Sequence, residues 1–152
     1  MPAESPGDDA RILLTRRSKL MRSHRHQIGF PGGKNEPGES ILLTALRETE
    51  EEVGIPREFI RPFAYRSPNI GLNGDPVFTI LAESTVNQAQ LIANTNEVEE
   101  ILLVPWTELA KSKCREFSFN IFGIWRQSAL YKTSYCNIWG LTANIIRDLS
   151  LE

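Results

Sequence analysis

The chain has few of the features that mark secreted, membrane-spanning or zinc-binding proteins. Only two cysteines occur in 152 residues, Cys114 and Cys136, and they form no Cys-x-x-Cys pair. A disulfide framework and a thiolate zinc site are therefore not expected, and both cysteines are predicted to be free thiols. No apolar run reaches the roughly 18 residues of a membrane span. Acidic residues near the start stand where a signal peptide has basic ones.

The chain also lacks an excess of positive charge. Its 17 Lys and Arg are outnumbered by 19 Asp and Glu, which gives a formal net charge of −2 at pH 7. Such a balance supplies no broad basic field for nucleic acid or an anionic membrane, so neither is an expected partner. The composition instead predicts a soluble intracellular protein with its own hydrophobic core. Its compartment, whether cytoplasm, mitochondrion or peroxisome, is left open.

Apolar periodicity and turn residues predict a mixture of strands and helices. Residues 1–10 are expected to form a loose lead-in, followed by a single domain at 11–152. Because the order shows no regular β-α-β alternation, an α+β architecture is favoured. Strands are predicted at 11–16, 59–66, 77–83, 101–104 and 135–139, and helices at 40–52, 107–111 and 141–149. Five aromatic side chains are assigned to the core rather than to base-stacking surfaces: Phe63, Phe78, Trp106, Trp125 and Trp139.

The helix predicted at 40–52 is the clearest local signal. Ser40 is suited to cap its start, and Gly54 is suited to end it. Its apolar residues recur at helical spacing and form one stripe that can pack on a core. The members of that stripe are Leu42, Ala45, Leu46, Thr49 and Val53.

The same helix carries three acids at helical spacing. Glu48, Glu51 and Glu52 lie three and four positions apart, so they are expected to converge, with no lysine or arginine at i,i+4 to offset them. A Gly32-Gly33 turn precedes the helix, and its backbone can approach a ligand closely. All-oxygen ligands suit Mg²⁺ or Mn²⁺, which often accompany phosphate. The alternative is a charged surface with no ligand.

The glycine turn and the acidic helix together resemble a motif of a known family. Gly33-x5-Glu39-x7-Arg47-Glu48-Thr49-x-Glu51-Glu52-x-Gly54-Ile55 is similar to the Nudix box of Nudix hydrolases. Every fixed letter is present, and Thr49 alone departs, since a large aliphatic residue is usual there. The resemblance implies a mixed β-sheet between α-helices, with the box as a loop-helix-loop. It also implies a reaction in which water attacks a diphosphate joined to another group.

The resemblance also implies residue roles. Glu48 and Glu52 are expected to be the main metal ligands, and Glu51 either a further ligand or the water activator. Arg47 is expected to orient these carboxylates through charge-assisted hydrogen bonds. The early acid Glu39 is expected to support the loop and to contact metal. The carbonyl of Gly32 or Gly33 is expected to complete the coordination.

Nudix enzymes often take a further glutamate from a later loop, as base or ligand. In this chain the candidates are Glu97 and Glu100. For each of them, a plain exposed acid with no catalytic role is the alternative.

A narrower resemblance lies upstream of the box. Two segments, residues 13–18 (LLTRRS) and 21–33 (MRSHRHQIGFPGG), are similar to coenzyme A diphosphatases within the superfamily, as is the segment at 139–143 (WGLTA). The resemblance implies coenzyme A or acyl-coenzyme A as substrate, with Arg17, Arg22 and His24 binding phosphate. The alternative is that these are solvated loop charges. His26 stands where glycine is usual, and it is expected to be exposed and to have no role.

Other readings stay open at this stage. The substrate could be another nucleoside diphosphate compound, such as ADP-ribose, a dinucleotide or a nucleoside triphosphate. The chain could instead be a non-catalytic Nudix module that binds a nucleotide. The subfamily has a strand before the position of residue 11, and because only ten mostly polar residues stand there in this sequence, that strand is expected to be missing. An exposed sheet edge would call for a partner, and a homodimer is one candidate.

Overall fold

The computed structural model describes residue 7 and residues 9–22, 26–71 and 73–150. In these residues it contains eight β-strands and two α-helices, which confirms the α+β class. None of the described helices is long and apolar enough to cross a membrane. The strands are β1 Arg11–Arg17, β2 Ile28–Gly29, β3 Ile60–Ile70, β4 Pro76–Ser84, β5 Val98–Pro105, β6 Arg115–Ile121, β7 Ile124–Lys132 and β8 Asn137–Trp139, and the helices are α1 Ile41–Val53 and α2 Gly140–Ser150.

The chain divides into two compact units. One unit comprises residues 14–101, and the other comprises residues 1–13 together with 102–152. The divisions fall within β1 and within β5. Most of the lead-in predicted at residues 1–10 lies outside the described residues, so the proposed boundary at residue 11 stays a prediction.

The unit of residues 14–101 contains α1, the β3–β4 hairpin and most of a small sheet. That sheet has the order β2-β1-β5, and β1 pairs with β2 in an antiparallel register that sets Thr15 opposite Gly29. β3 and β4 form a separate antiparallel pair. Leu14 and Val53 are fully buried and Val98 nearly so, and they supply the apolar core of this unit.

Helix α1 has the caps that its sequence predicts. The Ser40 side chain accepts a hydrogen bond from the Leu43 N–H at 3.1 Å, and Gly54 ends the helix with φ 76°. Glycine adopts this left-handed conformation without the steric penalty of a Cβ. The buried face differs from the predicted stripe, because two polar side chains, Thr44 and Glu52, are buried together with Val53.

The unit of residues 1–13 and 102–152 contains β6, β7, β8 and α2. β7 is the middle strand of an antiparallel sheet with the order β6-β7-β8. α2 contacts β7, and its Asn144 Oδ1 accepts a hydrogen bond from the Ala129 N–H at 2.9 Å. Tyr131, Ile138 and Ile146 are fully buried. The β6–β7 hairpin was not predicted from the sequence. β6 alternates polar and apolar residues from Glu116 to Ile121, but β7, with the sequence IWRQSALYK, does not follow a period of two.

Three further element predictions are corrected. The helix expected at 107–111 is replaced by two short 3₁₀ turns at 106–109 and 111–113. The last strand begins at Asn137 rather than 135, because a turn closed by Thr133 and Cys136 occupies the preceding residues. β5 begins at Val98, three residues before the predicted start. Cys114 and Cys136 are free thiols, as predicted.

The prediction that five aromatic residues are core is wrong for four of them. Trp125 is 72% exposed, and Phe63, Trp139 and Phe78 are about half exposed. Phe63 and Phe78 lie on the β3–β4 hairpin, and Trp125 lies near the tip of β6–β7. Aromatic residues are common on strands on either face, so composition alone did not separate inward from outward positions. Trp106 is half-buried.

Candidate metal centre

Three glutamates converge in the unit of residues 14–101. Glu48 and Glu52 lie one turn apart on α1, and Glu97 lies just before β5. One carboxylate oxygen from each lies within 4.8 Å of the others. The cluster is shielded from solvent, since Glu52 is 9% exposed and the Glu48 side chain 14%.

Glu97 reaches this position because its segment is bonded to the carboxyl end of α1. The last carbonyls of a helix have no partner within the helix. Here the Val53 carbonyl accepts from the Ile92 N–H at 3.0 Å, and the Glu52 carbonyl accepts from the Asn94 N–H at 3.0 Å. The Asn94 carbonyl in turn accepts from the Glu97 N–H at 2.9 Å. These bonds fix the third acid beside the two acids of the helix.

The end of β1 approaches the same cluster. The Ser18 N–H donates to the Glu97 carbonyl at 2.8 Å, and Ser18 is buried. The positive charge of Arg17 acts to lower the pKa of Glu52, so this arginine lies close enough to interact with the site. β1, α1 and the segment before β5 therefore meet at the three carboxylates.

The electrostatics of the cluster favour a bound cation. Burial, and after it the negative charges of Glu48 and Glu97, raise the pKa of Glu52 to about 8. Burial also raises the pKa of Glu48. A hydrogen bond with the Gly32 backbone and the charge of Arg17 oppose the shift at Glu52, but they do not cancel it. A cluster of buried carboxylate oxygens is a donor set that fits Mg²⁺ or Mn²⁺.

The double glycine has a steric role that the sequence did not predict. A Cβ added to Gly33 would lie 2.3 Å from Glu48 Oε1, whereas one added to Gly32 would meet nothing within 4 Å. Glu48 therefore packs directly on the Gly33 backbone. The carbonyl ligation expected of these glycines stays a prediction.

Arg47 and Glu39 form a paired support beside the cluster. Arg47 Nε and Nη2 donate to the two oxygens of Glu39 at 2.8 and 3.0 Å, and Thr44 Oγ donates at 2.6 Å. The Arg47 and Thr44 bonds lower the pKa of Glu39 to about 2, and the pKa of Arg47 is raised. Arg47 Nη1 also donates to Glu48 at 3.2 Å. Glu39 thus holds Arg47 and lies outside the three-glutamate cluster, while its predicted metal contact stays untested.

The expectation that no arginine offsets the acids of α1 is wrong. Arg47 stands four positions before Glu51, and its Nη1 lies 3.3 Å from a Glu51 oxygen. Glu51 is half exposed and is not among the carboxylates within 4.8 Å of one another. It remains near enough to raise the pKa of Glu48 through its charge. The predicted convergence of three acids therefore holds for Glu48 and Glu52, with Glu97 as the third member.

The remaining predicted residues lie in different surroundings. Glu100 is exposed and pairs with Arg16 at 3.3 Å. Arg17 is half-buried and Arg22 is exposed. His24 lies outside the described residues, so its predicted role is untested. His26 is exposed as expected, but its Nδ1 lies 2.8 Å from Glu99 Oε2.

The sequence pointed to the carboxylates of the site, but not to the residues whose hydrogen bonds hold the site together. Ser18, Thr44 and Asn94 were not singled out. A signal existed for Asn94, because asparagine often starts a turn by accepting a nearby N–H. Here its Oδ1 accepts from the Asn96 N–H at 3.3 Å.

A family model and curated relatives match most of the chain. The NUDIX domain family model matches residues 6–122. The uncharacterized Nudix hydrolase NudL of Yersinia pestis (strain Pestoides F) is 38% identical over 144 residues, covering 93% of this chain and 71% of the relative. NudL of Yersinia pseudotuberculosis serotype O:1b (strain IP 31758) matches with the same identity and coverage.

Solved structures share the fold. An Ap4A hydrolase binary complex from C. elegans has a TM-score of 0.55 and 21% identity, covering 64% of this chain and 70% of that one. A MutT/nudix family protein from Enterococcus faecalis has a TM-score of 0.51 and 21% identity, covering 90% of this chain and 52% of that one. At this identity the likeness concerns the fold alone.

Proposed function

This chain belongs to the Nudix hydrolase family, and we propose that it hydrolyses the diphosphate of coenzyme A or an acyl-coenzyme A. The products would be 3′,5′-ADP and 4′-phosphopantetheine, or its acylated form. The observation that carries the proposal is the buried cluster of Glu48, Glu52 and Glu97 with Arg17 close by. The three carboxylates suit a divalent cation, and an arginine suits phosphate oxygens. Together they fit a phosphate-bearing substrate.

Mg²⁺ or Mn²⁺ is the proposed cofactor, held by Glu48, Glu52 and Glu97. Such an ion, when bound, polarises a phosphoryl oxygen and lowers the pKa of a bound water. The chain contributes the geometry. Gly33 lets the Glu48 carboxylate approach the backbone, and the bonds from Asn94 and Ser18 hold the Glu97 segment in place.

Hydrolysis forms one P–O bond to the attacking water and breaks the bridging P–O bond of the diphosphate. The proton of that water must pass to a carboxylate. Glu51, which lies outside the three-glutamate cluster, is the proposed acceptor. Glu97 and Glu100 were the other sequence candidates, and Glu97 is assigned to the metal instead. Arg47 fixes Glu51 and Glu48 through its Nη1, so it sets the direction of both side chains.

Substrate choice is assigned to the basic residues around the β1–β2 loop. Arg17, Arg22 and His24 would face the diphosphate and the 3′-phosphate, with the Gly32–Gly33 backbone beside them. Arginine suits this task because its planar fork matches phosphate oxygens. The charge of Arg17 acts on Glu52, which supports a phosphate position near the proposed metal site.

Two rivals remain, another nucleoside diphosphate substrate and a non-catalytic binding module. Incubation with coenzyme A, dephospho-coenzyme A, ADP-ribose, a dinucleotide and a nucleoside triphosphate, with excess Mg²⁺ or Mn²⁺, separates them by product mass. We expect release of 3′,5′-ADP from coenzyme A and weaker turnover of dephospho-coenzyme A. Equal turnover of these two would remove the case for 3′-phosphate recognition.

A matched variant tests the catalytic assignment. Glu52→Gln keeps the shape of the side chain but removes a charged ligand. We expect it to abolish turnover while circular dichroism stays that of the parent. Persistent hydrolysis in this variant would overturn the ligand assignment, and no turnover of any substrate by the parent would favour the binding-module rival.

A further inference from the structure

The loop between β1 and β2 ends in a backbone conformation that glycine normally supplies. The His26 N–H donates to the Arg17 carbonyl at 2.9 Å, and the Arg17 N–H donates to the Gln27 carbonyl at 2.8 Å. Arg17 therefore opposes two residues of the returning strand, and the first of them, His26, has φ 60°. This pattern is a G1 β-bulge, in which glycine usually occupies the first position.

A side chain at this position is strained relative to glycine, although histidine tolerates positive φ better than most residues. A strained residue of this kind persists only where the surrounding structure holds it in place. The His26 Nδ1 lies 2.8 Å from Glu99 Oε2. Glu99 is the second residue of β5 and stands two residues after Glu97.

The loop is joined to the Glu97 segment at both of its ends. At its start, the Ser18 N–H donates to the Glu97 carbonyl at 2.8 Å. At its end, His26 contacts Glu99. The first contact uses the backbone and is buried, and the second uses two half-exposed side chains.

We propose that His26 is a positioning residue that fastens the β1–β2 loop to the segment carrying Glu97. The inference rests on the proposed function, in which Arg17 and Arg22 bind the phosphates of the substrate. Fastening the loop by both ends holds those cations at a fixed distance from the metal ligands. Loss of the histidine contact would release the far end of the loop from the segment carrying Glu97, while the Ser18 and Asn94 bonds would still hold Glu97.

Five variants test this role. His26→Gly removes the imidazole but suits the bulge, so backbone strain does not confuse the result. Glu99→Ala removes the other partner, and the double variant measures their coupling. Glu83→Ala is the matched control, because it breaks another exposed pair, with Arg61, on the β3–β4 hairpin.

Trypsin cleavage after the exposed Lys19 reports loop opening without any substrate. We expect His26→Gly and Glu99→Ala each to accelerate this cleavage and to raise the KM for coenzyme A. Each change should be at most about fivefold, because an exposed ion pair contributes little free energy. The double variant should be no worse than either single one. The kcat, the melting temperature and Mn²⁺ affinity should be unchanged, and Glu99→Gln, which keeps a hydrogen-bonding side chain, should restore most of the KM.

Unchanged cleavage in His26→Gly, or additive effects in the double variant, would overturn the proposal. A fall in kcat or melting temperature with unchanged KM would also overturn it, since that is the result of a merely structural contact. If the parent hydrolyses no diphosphate, the proposed function fails, and the trypsin measurement still decides whether His26 and Glu99 fasten the loop.

Discussion

At the scale of single residues, the contact between Gly33 and Glu48 shows how a backbone position can control the placement of a proposed metal ligand. The Glu48 carboxylate occupies the space that any Cβ at position 33 would need. Because this carboxylate is the far end of a flexible side chain, it would move aside rather than disrupt the helix. A side chain at position 33 should therefore damage the site and spare the fold.

Gly33→Ala is predicted to weaken Mn²⁺ binding by about tenfold or more, equivalent to roughly 1.4 kcal/mol, with little change in melting temperature. The control is Gly32→Ala, because a Cβ at position 32 meets nothing within 4 Å. Calorimetric titration with Mn²⁺ measures both variants. Equal affinities in the two variants would show that the Glu48 position does not depend on this glycine.

A second residue-scale consequence concerns the protonation of Glu52. Its pKa is about 8 in the folded, metal-free protein, against the ordinary value of 4.5. Between these two pH values the folded state keeps a proton that the unfolded state loses. The contribution of Glu52 to stability therefore falls as pH rises from about 5 to about 8, by an amount on the order of a few kcal/mol.

Glu52→Gln removes this titration, so in the presence of a chelator the variant is predicted to be more stable than the parent at pH 9. The difference in melting temperature should be small at pH 5 and should reach several degrees at pH 9. Thermal unfolding monitored by circular dichroism across this range provides the test. Parallel melting profiles for the two proteins would contradict the raised pKa.

At the scale of elements, local signals predicted α1 well and the β6–β7 hairpin not at all. Ser40 and Gly54 cap α1 through contacts within a few residues, so the sequence contains the needed information. The hairpin turns at Phe122 and Gly123, with φ 51° and 81°. A two-residue hairpin turn with positive φ at both positions usually has the sequence Asn-Gly. Because phenylalanine stands at the first position here, the sequence did not indicate a turn.

Phe122→Asn is predicted to stabilise the protein by about 1 kcal/mol, because asparagine tolerates positive φ better than an aromatic residue. Phe122 is fully exposed, so its loss removes no packing. The expected rise in melting temperature is about 2–4 °C. Phe119→Asn on the same hairpin is the contrasting variant, since Phe119 contacts the ring of Phe117 and its replacement should lower stability. A lower melting temperature for Phe122→Asn would show that the ring makes a stabilising contact.

At the scale of the whole molecule, the sequence predicted the family and the proximity of the two proposed ligands on α1, but it could not place the third. Glu48 and Glu52 share a helix, so their proximity follows from helical geometry. Glu97 comes within reach only through backbone bonds from Ile92, Asn94 and Ser18 to distant residues. Such bonds use atoms common to every residue, and they leave no mark in the side-chain pattern. For the same reason Glu97 and Glu100 were equal candidates until the chain was folded.

The backbone bonds that hold the three glutamates together predict which amides a bound metal protects from hydrogen exchange. All three proposed ligands, and the backbone bonds that place them, lie within residues 14–101. Mn²⁺ should therefore slow hydrogen exchange most at the amides of Ser18, Ile92, Asn94 and Glu97, because release of any of these bonds displaces a ligand.

At a concentration 100 times its dissociation constant, a metal that binds only the closed form stabilises it by about 2.7 kcal/mol, which limits the slowing to roughly a hundredfold. Hydrogen exchange measured by mass spectrometry, with Glu52→Gln as the control, tests the size of the slowing and identifies the amides at which it occurs. Equal slowing in the variant, or slowing confined to amides outside residues 14–101, would show that the ion binds elsewhere. An ion held by the three glutamates must slow the amides that hold the glutamates together.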